Sequence, residues 1–104
     1  MTSMTLNDIS DHHLQIHLSL DRSYFNFILE KEKVIPIKSR LIELIERIKN
    51  NAHEDDGDIT INTKDYNFSI CPSVDSISFV SSYYSMMYNL ETEELLKLCQ
   101  FILQ

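Results

Sequence analysis

Glycine is almost missing from this chain: Gly57 is the only one in 104 residues. Loops that cradle phosphates bring the backbone close to the ligand, and glycine permits that approach, so nucleotide binding is not expected. The chain also lacks a GxSxG elbow and any cysteine with a neighbouring histidine to pair with it. Those absences remove the familiar routes to nucleophilic catalysis, so the protein is not expected to be an enzyme and no cofactor is implied. Cys71 and Cys99 form no CxxC pair; they read as buried thiols acting as small hydrophobes in a reducing compartment. No apolar run approaches the ~18–20 residues that span a bilayer. The opening MTSMTLNDISDHH has no basic segment followed by a hydrophobic one. A secretory signal is therefore not expected, and the cytoplasm is the expected location.

Basic residues are scarce as well. Nine Lys and Arg face sixteen Asp and Glu, for a net charge of −7 and a pI near 4.9. Nucleic-acid phosphate repels such a surface, whereas a basic protein is attracted to it. A protein that imitates nucleic acid would carry the same sign, and plain solubility would be served by it too. What the chain does have is apolar content: 43% hydrophobic residues and ten aromatics, enough for one packed core at this length.

The strongest pattern runs from Pro36 to Asn51. Ile37, Leu41, Leu44, Ile45 and Ile48 recur at helical spacing among Lys, Arg and Glu, which predicts an amphipathic helix with one stripe to bury. Pro36 suits its first turn. Upstream, Leu14, Ile16, Leu18 and Leu20 alternate with polar residues and predict a strand with one buried face. Phe25, Phe27 and Leu29 alternate after the Asp21-Arg22 turn; a helix over 22–33 competes, but the aromatic content favours a hairpin. Further strands are predicted at Ile59–Asn62, Tyr66–Cys71 and Ile77–Ser81, with Tyr83–Tyr88 a separate strand or an extension. A closing helix is expected over Thr92–Leu103, with Thr92 as N-cap and Glu93 and Glu94 favoured by the helix dipole. Gly57 is expected to supply a positive φ in the acidic loop. Residues 1–12 read as a loose lead-in to a single domain covering 1–104. The order β-β-α-β-β-β-α predicts an α+β fold, an antiparallel sheet of five or six strands with two helices on one face.

Two clusters could carry chemistry. On the predicted strand, His13, Gln15 and His17 share the face opposite the leucines, and zinc could be held if Asp11 joined them. Positions two apart on a strand lie ~6.5–7 Å apart, wide for one ion, so solvent-facing polar side chains are the expected reading. The run Glu54-Asp55-Asp56-Gly57-Asp58 resembles an EF-hand in composition only. Aligning Gly57 with the turn position puts Ala52 and Thr63 where ligands are needed.

These absences and the charge together predict a small acidic inhibitor that masks a basic protein, such as a toxin or nuclease domain, as immunity proteins and antitoxins do. Glu54, Asp55, Asp56, Asp58, Glu91 and Glu94 would steer the encounter, with Tyr83, Tyr84 and Tyr88 as desolvated anchors. Neither direct nucleic-acid binding nor a membrane is expected, and the chain could be a monomer or a dimer. An acidic dimeric chaperone or adaptor is the alternative, and a metal enzyme built on the histidine face comes third.

Overall fold

The alternation of Leu14, Ile16 and Leu18 with polar residues produces what its period demands. In the computed structural model, which describes residues 3–19, 21–83 and 85–104, His13–Ser19 is a strand (β2) with those three side chains buried. Gln15 and His17 lie on its other face. Tyr24–Glu30 (β3) pairs with it antiparallel, Leu18 opposite Phe25 and Ile16 opposite Phe27. The hairpin therefore wins over the helix at 22–33. Phenylalanine at alternate positions packs well on a pleated surface, and both Phe27 and Leu29 are buried.

The fold is α+β, but the expected single sheet is two antiparallel sheets, of three and four strands. The first correction is at the start of the chain. Ser3–Asp8, expected as loose lead-in, is a strand (β1) whose Met4 and Leu6 stand opposite Leu18 and Ile16 and are half-buried. Two apolar positions are too short a period to read alone; the hydrophobic face of β2 supplies the reason to pair. The second correction is at the connection. Lys31–Ile37, expected as a charged linker and the first turn of the helix, is a 3-10 segment that buries Val34 and Ile37. Pro36 sits inside it, and the α-helix (α1) begins at Lys38 and ends at Lys49. The segment separates the first sheet in the chain from the second.

The second sheet consists of Ile59–Asn62 (β4), Tyr66–Cys71 (β5), Ser76–Ser81 (β6) and Ser85–Asn89 (β7), in that spatial order. Its inner face aligns Ile61, Phe68, Phe79 and Met86 across the strands, and Ile59, Ile70, Ile77 and Tyr88 beside them. The closing helix (α2) spans Thr92–Leu103 and packs on α1. Its stripe Leu95, Leu98, Cys99 and Ile102 and the α1 stripe Leu41, Leu44, Ile45 and Ile48 enter one core with both sheets. Thr92 is the first helical residue and not the cap. Glu91 is the N-cap, and its backbone N–H donates to Glu94 Oε1 at 2.9 Å, half of a capping box.

Rings join the two sheets. Phe27 of β3 lies 4.5 Å from Phe79, 5.2 Å from Phe68 and 4.5 Å edge-on from Tyr66, centroid to centroid. The Tyr66 hydroxyl donates to the Ile28 carbonyl at 2.6 Å, so β3 runs past the β5 end of the second sheet.

Among the described residues the positive φ values fall at Asn51 (53°) and Asp75 (47°), and not at Gly57. Asn and Asp tolerate the left-handed region through short local hydrogen bonds, so these two turns need no glycine.

Leu44→Ala removes a side chain with 2% exposure and should cost ~2–5 kcal/mol in urea unfolding, with Ile42→Ala, half-exposed on the same helix, near neutral. Equal effects from the two would contradict the assigned stripe.

Candidate functional site

Antiparallel pairing brings one end of every strand in the second sheet together. Ile59, Ile70, Ile77 and Tyr88 are aligned there. Three connections therefore meet at the same end: the loop from α1 to β4, the turn Pro72–Asp75, and the link from β7 to α2. Glu54, Asp55, Asp56 and Asp58 come from the first, Asp75 from the second, and Glu91, Glu93 and Glu94 from the third. These are eight of the sixteen carboxylates in the chain.

Asp75 joins the three. Its Oδ1 accepts from His53 Nε2 at 2.8 Å, and its Oδ2 from the Thr92 hydroxyl at 3.4 Å. Its carbonyl accepts from the Leu90 N–H at 2.7 Å. His53 is 5% exposed, and among the described residues no group bonds its Nδ1. The buried ring ties the loop after α1 to the Asp75 turn. Arg47 fastens the acidic loop from the α1 side. Its Nε meets Asp56 Oδ2 at 2.8 Å and its Nη2 donates to the Ala52 carbonyl at 2.7 Å. Arg40 Nη2 donates to the Asp58 carbonyl at 3.0 Å. Glu54, Asp55 and Glu93 are exposed, and Asp58, also exposed, lies beside the Cys71 thiol. Beside them Val74, an exposed apolar side chain, rides on the turn that carries Asp75.

The predicted tyrosines do not join this cluster. Tyr88 is buried on the inner face of β7, because its ring completes the row with Ile77. Tyr83 is 94% exposed but lies in the β6–β7 turn at the opposite end of the sheet. Tyr84 lies outside the described residues. Tyr83 instead borders a groove of 590 Å³ between β3 and the far ends of β5 and β6, whose apolar walls are Phe25, Phe27, Tyr66, Phe79 and Val80. Burial raises the Tyr66 hydroxyl above its ordinary 10.0, so it stays a donor to Ile28.

His13, Gln15 and His17 do share the outer face of the first sheet. His17 bonds Asn26 and stacks on Tyr24, and His13 bonds Ser10. Among the described residues no three His, Cys, Asp or Glu side chains come together as metal ligands. Both cysteines are buried and unpaired. Burial pushes the Cys99 thiol from 9.0 up to about 12. Cys71 is raised by burial first and by the Asp58 charge second, partly offset by the Ser78 and Ser76 hydroxyls. Both shifts favour the protonated thiol near neutral pH.

Sequence reasoning missed Asp75 and His53 as the centre of this end, because the partners are 22 positions apart. Compared with known proteins, the chain matches no family model, no curated protein and no solved structure. No helix among the described residues is long and apolar enough to cross a membrane.

Asp75→Ala should lower stability by about 1–3 kcal/mol, since it leaves the buried His53 ring without a partner and puts alanine at a positive φ. Asp75→Asn keeps an acceptor and tolerates that backbone, so its loss should be clearly smaller; equal losses would assign the effect to charge alone.

The native state keeps the Cys99 proton that the unfolded chain sheds above about pH 9, so unfolding is favoured as pH rises from about 9 towards 12. Cys99→Ala should flatten that decline in stability, and native thiol labelling at pH 8 should be slow for both cysteines. Fast native labelling of Cys99 would contradict its burial.

Proposed function

We propose that the protein is a small binding module that neutralises a basic protein, as an immunity protein or antitoxin neutralises a toxin or nuclease domain. The observation that carries this reading is the convergence of carboxylates from three separate connections on one end of the second sheet. Scattered acids would serve solubility; acids gathered from distant positions and braced by Arg47, His53 and Asp75 form a directed field. That field acts over a Debye length of ~8–10 Å at ordinary salt, long enough to steer an approaching cation-rich surface. Fixing the loop in advance lowers the ordering cost of binding. Val74 takes the place first expected of the tyrosines, an apolar contact that loses water within a ring of charge. The groove beside Tyr83 favours a second reading, an acidic dimeric chaperone or adaptor that receives an apolar segment.

The test measures association with, and dissociation from, a basic nuclease domain at low and high salt. Glu54→Gln, Asp55→Asn and Asp58→Asn together remove charge while leaving the Arg47–Asp56 brace intact. Association at low salt should slow by about tenfold or more, with little change in dissociation. Val74→Ser should act mainly on dissociation. Association as fast as the parent's at low salt would overturn the acidic end as the contact.

A further inference from the structure

None of the residues of β4, β5, β6 and β7 is charged, in a chain where 24% of residues are. The outer face of this sheet is a field of Thr60, Asn67, Ser69, Ser78, Ser85 and Asn89 with two exposed apolar side chains, Val80 and Met87. Natural outer strands usually carry lysine, proline or a bulge that blocks pairing with another chain. β7, Ser85-Met-Met-Tyr-Asn89, has none of these. Among the described residues no strand lies beyond it.

The other edges are treated differently. β4 faces the 3-10 segment. The Tyr66 hydroxyl occupies the Ile28 carbonyl at the edge of β3. β1 ends in Asp8, which is ion-paired to Lys31 at 2.8 Å.

The direction of the free groups on β7 follows from one bond. The Leu90 N–H donates to the Asp75 carbonyl and extends the β6–β7 register by one pair. Bonded and non-bonded pairs alternate in an antiparallel ladder, so Tyr88 and Met86 also bond to β6. Ser85, Met87 and Asn89 therefore turn both their N–H and C=O groups outward.

We infer that β7 is a self-association edge, pairing antiparallel with β7 of a second copy about a two-fold axis at Met87. Ser85 then stands opposite the partner's Asn89, Met87 opposite the partner's Met87, and about six backbone hydrogen bonds close the joint. The two sheets become one continuous sheet, with Val80 and Met87 of both copies forming a single apolar strip on its outer face. The choice of a second copy rests on the uncharged strands and on symmetry. Two copies at −7 each repel. Antiparallel pairing keeps that repulsion small by placing the two acidic ends at opposite extremes of the joint sheet while only uncharged strands meet. A short strand gives a small contact, so association depends on concentration. The inference does not rest on the proposed function, since the acidic ends stay open in the pair.

Sedimentation equilibrium over a wide concentration range tests it. The parent chain should move from 12.2 kDa towards twice that mass. Met87→Pro removes an outward N–H at an edge position, where proline's fixed φ is tolerated, and Met87→Lys adds like charges directly opposite each other; neither removes a bond to β6. Each should raise the dimer dissociation constant by at least about tenfold, with unfolding midpoints near the parent's showing that the fold is kept. Thr5→Lys, on β1, should leave association unchanged. A parent chain that stays monomeric at the highest concentration would overturn the proposal and leave the edge for a foreign strand. A dimer indifferent to both Met87 variants, or one lost with Thr5→Lys, would overturn it too.

Discussion

Phe27 is the contact on which the architecture depends. Its ring touches Phe68, Phe79 and Tyr66, and these contacts bind two sheets that share no ladder into one core. Each sheet has one hydrophobic face that must be covered. Stacked and edge-on rings each add about 0.5–1.5 kcal/mol beyond the area they bury. The aromatic cluster sits toward one end of the second sheet and borders the groove there, while the acidic connections meet at the other end.

Much of the fold was legible in the sequence. The period of 2 at 14–18 and 25–29, and the period of about 3.6 at 37–48 and 95–102, each found the element and the face that the core buries. What was not legible depended on neighbours distant in sequence. Met4 and Leu6 become a strand only because β2 offers them a partner. Lys31–Lys33 reads as a charged linker until Val34 and Ile37 are seen to fill the core behind it. Tyr88 was expected among the contact tyrosines because tyrosine suits an interface, yet its register with Ile77 buries it. Gly57 looked like the turning point, while Asn51 and Asp75 hold the left-handed positions.

The candidate site divides in the same way. Acidic residues at 54–58 and 91–94 were visible as clusters, but their meeting at one end was not, since it needs the strand order and the bond from His53 to Asp75. The uncharged strands were equally visible as composition. Their meaning appears only once they are seen to lie in one sheet, with polar charge confined to helices, loops and the first sheet. The molecule thus presents two surfaces of different character, an end that gathers carboxylates and an outer strand without charge.

The central claim is that the acidic end meets the partner, and mapping backbone amide shifts of the isotopically labelled chain on addition of a basic protein partner tests it most directly. The account predicts perturbations at residues 54–58, at Val74 and Asp75, and at residues 91–94, diminishing as salt is raised. Perturbations confined to Phe25–Ile28 and Tyr66 around the groove, and indifferent to salt, would contradict it.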